Sequence, residues 1–195
     1  TDCVILDSRN HYQQSRLGEQ FGKDRSVFYR GLFELGGDKA AGLFNLIEVA
    51  TVSYFQKQRD AQDGEVVTGL QALRRTLSPL HIPGVQGQAF AEHLKKEYDA
   101  YQKQAPGQLP DTEISTEVLD RILKFVNEFS GNTIQSNRFL NGLIGYVRAY
   151  HPEIAEHLAT QQDHGRIVLP GQLPPPLPAS PAESHQHCTN PLHRH

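Results

Sequence analysis

The segment from Ala40 to Phe55, AAGLFNLIEVATVSYF, constrains this chain more than any other. Glu48 is its only charged residue, and apolar side chains fall on every face of the helix it would form. A helix that is apolar all round belongs at the centre of a fold, enclosed by other elements. It is too short and too interrupted to span a membrane, which takes about 20 mainly apolar residues. Ala40, Ala41 and Gly42 leave room for a neighbouring helix to approach closely. Lys57 and Arg59 suit its C-terminal end, where the helix dipole favours cations.

The flanking sequence supplies the helices that would enclose it. Val66, Leu70, Leu73 and Leu77 recur at helical spacing behind Asp63. Phe90, Leu94, Tyr98 and Tyr101 mark a helix over about residues 86–104, broken by Ala105-Pro106-Gly107. The acids Asp111, Glu113 and Glu117 crowd the start of another, whose apolar face is Val118, Ile122, Phe125, Val126 and Phe129. Asn132 or Thr133 would cap a helix bearing Leu140, Leu143, Ile144 and Val147. Pro152 stands at a natural first position for a last helix through Ile154 and Leu158. Upstream, a weakly amphipathic helix is expected from Ser8 to Gly22. A second, capped by Asp24, carries Val27, Phe28, Leu32 and Leu35 to the pair Gly36-Gly37, and Asp38 offers the cap for the central helix. Cys3 to Leu6 reads as a short strand or an N-terminal anchor. At 195 residues the length favours one domain. The expectation is an all-α fold: one globular multi-helix bundle of about seven helices over residues 1–162, followed by an irregular Pro- and His-rich tail over 163–195.

Charge and cysteine content narrow the function classes. The net charge is −3 and the pI about 6.3, so no domain-wide basic excess points to nucleic acid. Two cysteines, Cys3 and Cys188, make no disulfide framework and fit reduced thiols in a cytoplasmic protein. The chain begins at Thr1 and holds no methionine, which reads as a processed form or a fragment. The glycine-rich dinucleotide and phosphate loops, HExxH and GxSxG are all missing from the sequence.

The tail divides in two. Leu173 to Pro178 is dense in proline and favours polyproline II, and Pro175-Pro176-Leu177-Pro178 resembles the short prolyl ligands of WW-type domains. His185, His187, Cys188, His193 and His195 then fall within eleven residues. Imidazole and thiolate ligate zinc and other transition metals, and two His-x-His arms would suit one ion.

Within the helical part, Glu48 is the polar residue most out of place, with Arg30, Arg74, Arg75 and Arg148 as conceivable partners. Asn137 and Asn141 share a helix face, with Arg148 further along it. His81, His93, His151, His157 and His164 are scattered, and none sits in a Glu-x-x-His pattern of a di-metal bundle. The favoured function is a non-catalytic helical interaction or assembly subunit that binds other proteins through its surface and prolyl tail. One alternative is a metal- or haem-dependent helical enzyme or metal carrier. The other is a nucleic-acid-associated subunit using Arg74, Arg75, Lys95, Lys96, Arg121, Lys124, Arg138 and Arg148.

Overall fold

The computed structural model describes residues 2–56, 58, 60–77, 88–133 and 135–161, without the side chains of 2–11 and 158–161. The prolyl segment, the His/Cys cluster, Lys57, Arg59, His81 and His164 all lie outside the described residues.

Those residues form six helices: α1 (Asp2–Phe55), α2 (Asp63–Leu77), α3 (Ala89–Gln104), α4 (Thr112–Phe129), α5 (Arg138–Tyr150) and α6 (Pro152–Gln161). The first is bent into two arms. Gly36 (φ −151°, ψ 21°) and Gly37 (φ 60°, ψ −148°) alone depart from helical dihedrals within α1. Gly37 occupies a region that side chains with a Cβ avoid. The turn reverses the chain. Arg25 and Glu48 are 23 residues apart, about 35 Å along an unbroken helix, yet they touch at 2.6 Å. Residues 2–35 (the N-arm) and 38–55 (the C-arm) therefore form a helical hairpin with almost no loop.

The C-arm is the centre that its sequence demands. Leu43, Phe44, Leu46, Ile47, Ala50, Val52 and Phe55 are all buried. Around it the expected stripes turn inward: Val66, Leu70 and Leu73 of α2, Phe90, Leu94 and Tyr98 of α3, the whole apolar face of α4, and Leu140, Leu143, Ile144 and Val147 of α5. Rings fill the junction of the N-arm with α4 and α5. Phe28 stacks on Phe125 at 4.5 Å and meets Phe44 edge-on at 5.0 Å. Phe21, fully buried, touches Phe125, Phe129, Phe139 and Tyr146. Burying one such ring contributes about 1.5–3 kcal/mol. At the far end of the C-arm, Tyr54 and Phe55 pack on Phe90.

The N-arm crosses α5 backbone to backbone. A Cβ on Gly18 would stand 2.7 Å from the Gly145 carbonyl carbon and from the Tyr146 nitrogen, and one on Gly145 would strike the Gln14 carbonyl. Only glycine permits this approach.

Three sequence expectations are corrected. Gly22 and Asp24 do not divide two helices, because the N-arm runs through them. Gly22 instead admits the Tyr146 ring, whose Cδ2 would lie 3.0 Å from an added Cβ. The backbone at Cys3–Leu6 is helical, not a strand. Finally, α5 starts at Arg138, and neither Asn132 nor Thr133 caps it; Asn132 has φ 57° in the preceding turn. The cap comes from α2. Asp63, 1% exposed, accepts hydrogen bonds from Phe139 N (3.1 Å), Leu140 N (3.0 Å) and Ser130 Oγ (2.7 Å). Its own N–H donates to the Ser136 carbonyl. The start of α4 matches expectation, with Asp111 accepting from Ile114 N at 2.9 Å.

Candidate interaction surface

Six polar or charged side chains are buried among the described residues: Glu48, Thr51, Ser53, Asp63, Ser115 and Ser130. Each makes a hydrogen bond inside the fold. Thr51, Ser53 and Ser115 donate to the carbonyls of Ile47, Ala50 and Pro110, and Ser130 donates to Asp63. Gln56 Nε2 is the one buried side-chain nitrogen or oxygen without a partner among the described residues.

Glu48 pairs with Arg25, which was not among the arginines expected. Arg25 Nε donates to Glu48 Oε1 and Oε2 at 2.8 and 3.0 Å, and its terminal nitrogen reaches Oε2 at 2.6 Å and Asn45 Oδ1 at 2.9 Å. The guanidinium carbon lies 5.3 Å from the ring centroids of Tyr29 and Tyr146 and 5.5 Å from that of Phe44. Burial alone would lower the Arg25 pKa, but the hydrogen bonds and charge of Glu48 reverse this and hold it raised. Burial pushes the Glu48 carboxyl up, with Arg25 acting against it. A carboxylate enclosed in this way joins the two arms of α1.

Asn141 and Arg148 are brought together, through a residue that sequence reasoning passed over. Gln14 Nε2 donates to Asn141 Oδ1 at 3.0 Å, and Arg148 donates to Gln14 Oε1 at 3.0 Å. Asn137 stands apart at the head of α5, exposed and without a side-chain capping bond. Glu48, on the C-arm, does not share this line.

One histidine cluster was also missed. Ser53 Oγ lies 3.1 Å from His93 Nε2, and His93 Nδ1 lies 4.0 Å from Glu97 Oε1. The order hydroxyl–imidazole–carboxylate resembles a nucleophilic triad, but the His93–Glu97 separation of 4.0 Å is longer than a hydrogen bond. Ser53 Oγ also donates to the Ala50 carbonyl at 2.9 Å, a bond that competes for the proton a nucleophile must give to the imidazole. Burial lowers the His93 pKa, the Ala50 carbonyl opposes this, and Lys96 adds to it. Burial likewise raises Glu97, with Lys96 opposing. The cluster fastens α3 to the C-arm. A spacing of i, i+4 for His93 and Glu97 was the available signal; Ser53, 40 residues upstream, had none. His151 lies 3.5 Å from the Tyr146 hydroxyl and 3.7 Å from Glu153. Among the described residues no group of three or more His, Cys, Asp and Glu side chains is placed to hold a metal.

Four of the eight cations of the nucleic-acid alternative are paired with acids. Arg74 pairs with Asp120, Lys95 with Asp99, Arg121 with Glu117 and Lys124 with Glu128. No described helix is long and apolar enough to cross a membrane.

The outer face of the N-arm is different in kind. Among the described residues the large exposed hydrophobic ones are Tyr12 (66% exposed), Val27 (72%), Phe33 (50%) and Tyr150 (57%). The first three belong to the N-arm. The fourth reaches it, since the Tyr150 ring lies 4.0 Å from where a Cβ on Gly22 would stand, and it packs on Tyr146 at 5.2 Å. Tyr12 and Phe33 are 21 residues apart, about 32 Å along a helix and about 60° apart around it, with Val27 about 60° from Tyr12 on the other side. Compared with models of known families, with curated proteins and with solved structures, the chain has no match.

Proposed function

We propose that this protein is a non-catalytic interaction or assembly subunit whose principal docking surface is the outer face of the N-arm, with the prolyl tail as a second point of attachment. The observation that carries this reading is the concentration of exposed Tyr12, Val27 and Phe33 on one helix, beside Tyr150. Aromatic side chains are enriched at protein–protein interfaces, where they bury much area at low entropic cost. Their neighbours Arg16, Glu19, Lys23, Arg30 and Glu34 carry both signs of charge, which suits a polar rim around an apolar contact. The hydrogen bonds that Glu48, Thr51, Ser53, Asp63, Ser115 and Ser130 make within the fold add support, because those groups hold the helices together.

The test compares the proteins recovered with the wild-type chain, with a Tyr12→Ser/Val27→Ser/Phe33→Ser variant and with a chain ending at residue 162. Loss of partners by the surface variant, at an unchanged melting temperature, supports the proposal. The same partners in all three preparations would remove both the surface and the tail as its basis. The zinc alternative rests on His185, His187, Cys188, His193 and His195, and zinc titration of full-length and truncated chains decides it.

A further inference from the structure

The N-arm is joined to the rest of the fold by two glycines, and its contacts do not depend on which chain supplies it. Phe21, Phe28 and Leu32 fill a site built by the C-arm, α4 and α5, and Arg25 closes that site on Glu48. If Gly36 and Gly37 took helical dihedrals, α1 would become one rod of 54 residues, about 81 Å long. Arg25 would then stand about 35 Å from its own Glu48. The arm's apolar face and the guanidinium would be exposed, and Glu48 would lose its counter-charge, which is unfavourable. The surface shaped to accept the arm is the one it left, on a second copy of the chain.

The hinge is suited to this exchange. Short hinges that hold a segment folded back are the places where identical elements pass between protomers. Leu35 on one side and Asp38-Lys39-Ala40-Ala41 on the other are already helical, so only two residues need change. Glycine is a poor helix former, which favours the hairpin in the wild-type chain. We infer that α1 is an exchangeable arm: two copies open at Gly36-Gly37 and pack their N-arms reciprocally, forming the Arg25–Glu48 pair between chains. This does not depend on what else docks on the arm's outer face.

Gly37→Ala provides the first test. No atom lies within 4 Å of the position its Cβ would take, so the substitution acts through backbone conformation alone. Alanine disfavours the positive φ of the hairpin and favours the straight helix. Light scattering after size exclusion should show the mass doubled. Charge reversal then tells exchange from a face-to-face contact. Arg25→Glu and Glu48→Arg each place like charges together within a single chain. In a reciprocal dimer of the two variants, opposite charges meet at both sites. One site holds the native Arg25–Glu48 pair, and the other holds the same pair with its signs exchanged.

The two variants are made in both the wild-type and the Gly37→Ala backgrounds, unfolded, and refolded separately and as a mixture. The expected result is a heterodimer whose melting temperature returns to that of its parent, with each variant alone melting far lower or failing to refold. A Gly37→Ala chain that stays monomeric up to its solubility limit would overturn the inference. So would a Gly37→Ala dimer for which mixing the charge-reversed chains restores nothing in either background.

Discussion

Glu48 and Asp63 are both buried carboxylates, and the fold accommodates them in opposite ways. Glu48 is matched by a full counter-charge, Arg25, delivered by the other arm of α1. Asp63 has no cation; it is matched by two backbone N–H groups at the start of α5 and the hydroxyl of Ser130. The first solution depends on a hairpin that brings a long side chain back to its target. The second uses the partial positive charge fixed at a helix N-terminus, which needs no side-chain ordering. The ion pair is therefore replaceable in principle by apolar groups, while the cap is not, because the N–H groups of α5 remain whatever stands at position 63.

The contrast can be broken at several points. The largest effect is expected from Arg25→Ala, which leaves Glu48 enclosed without a counter-charge and should cost about 3–5 kcal/mol in urea unfolding. A loss below about 1 kcal/mol would mean that the carboxylate reaches water easily. Asp63→Ala strands the Ser130 hydroxyl and two N–H groups, and about 2–3 kcal/mol should be lost; Asp63→Asn, which keeps an acceptor oxygen, should recover part of it. Replacing the whole ion pair, as Arg25→Met/Glu48→Leu, should leave stability within about 1 kcal/mol of wild type or raise it. A double variant as damaged as Arg25→Ala would show that the pair supplies more than its own neutralisation. The smallest effect is a pH dependence. Burial lowers the His93 pKa, so the unfolded chain takes up the proton more readily. The stability linked to His93 is intact above the ordinary histidine value of about 6.5 and is lost as pH falls through the folded-state value. Between pH 7.5 and 5, the melting temperature of wild type should fall more steeply than that of His93→Gln. Parallel curves would contradict this.

Much of the fold was legible because its signals are local. The C-arm identified itself by apolar residues on all faces, and α4 by its stripe and by Asp111 at its head. Gly22 misled because a glycine before Asp24 has the same letters as a helix end followed by a cap. Its actual use, admitting the Tyr146 ring, depends on a residue 124 positions away. The cap of α5 was misplaced for the same reason: Asp63 performs it from α2, and no spacing rule within residues 132–138 points there. Arg25 was overlooked as the partner of Glu48 because the glycine pair reads as a stop, not as a reversal. Once the reversal is known, the two residues prove nearly equidistant from it, 11 positions before Gly36 and 11 after Gly37. Val27 was counted with the apolar face of its helix, although it is exposed, since periodicity marks apolar positions without saying which face a neighbour covers.

The crossing of Gly18 and Gly145 has a kinetic consequence. Where side chains separate two helices, small displacements are absorbed by rotamer changes, and the helices can slide. Here the backbones touch directly, with Gln14 on one side of the contact and Phe21 and the Tyr146 ring on the other. A shift of the N-arm by one turn one way would drive the Gln14 side chain into a space that holds none; a shift the other way would bring Gly22 there but pull Phe21 from its enclosed seat. The arm has one seat and no intermediate positions, so it leaves only by lifting away whole. Its release therefore has to undo the glycine crossing and the enclosure of Phe21 together.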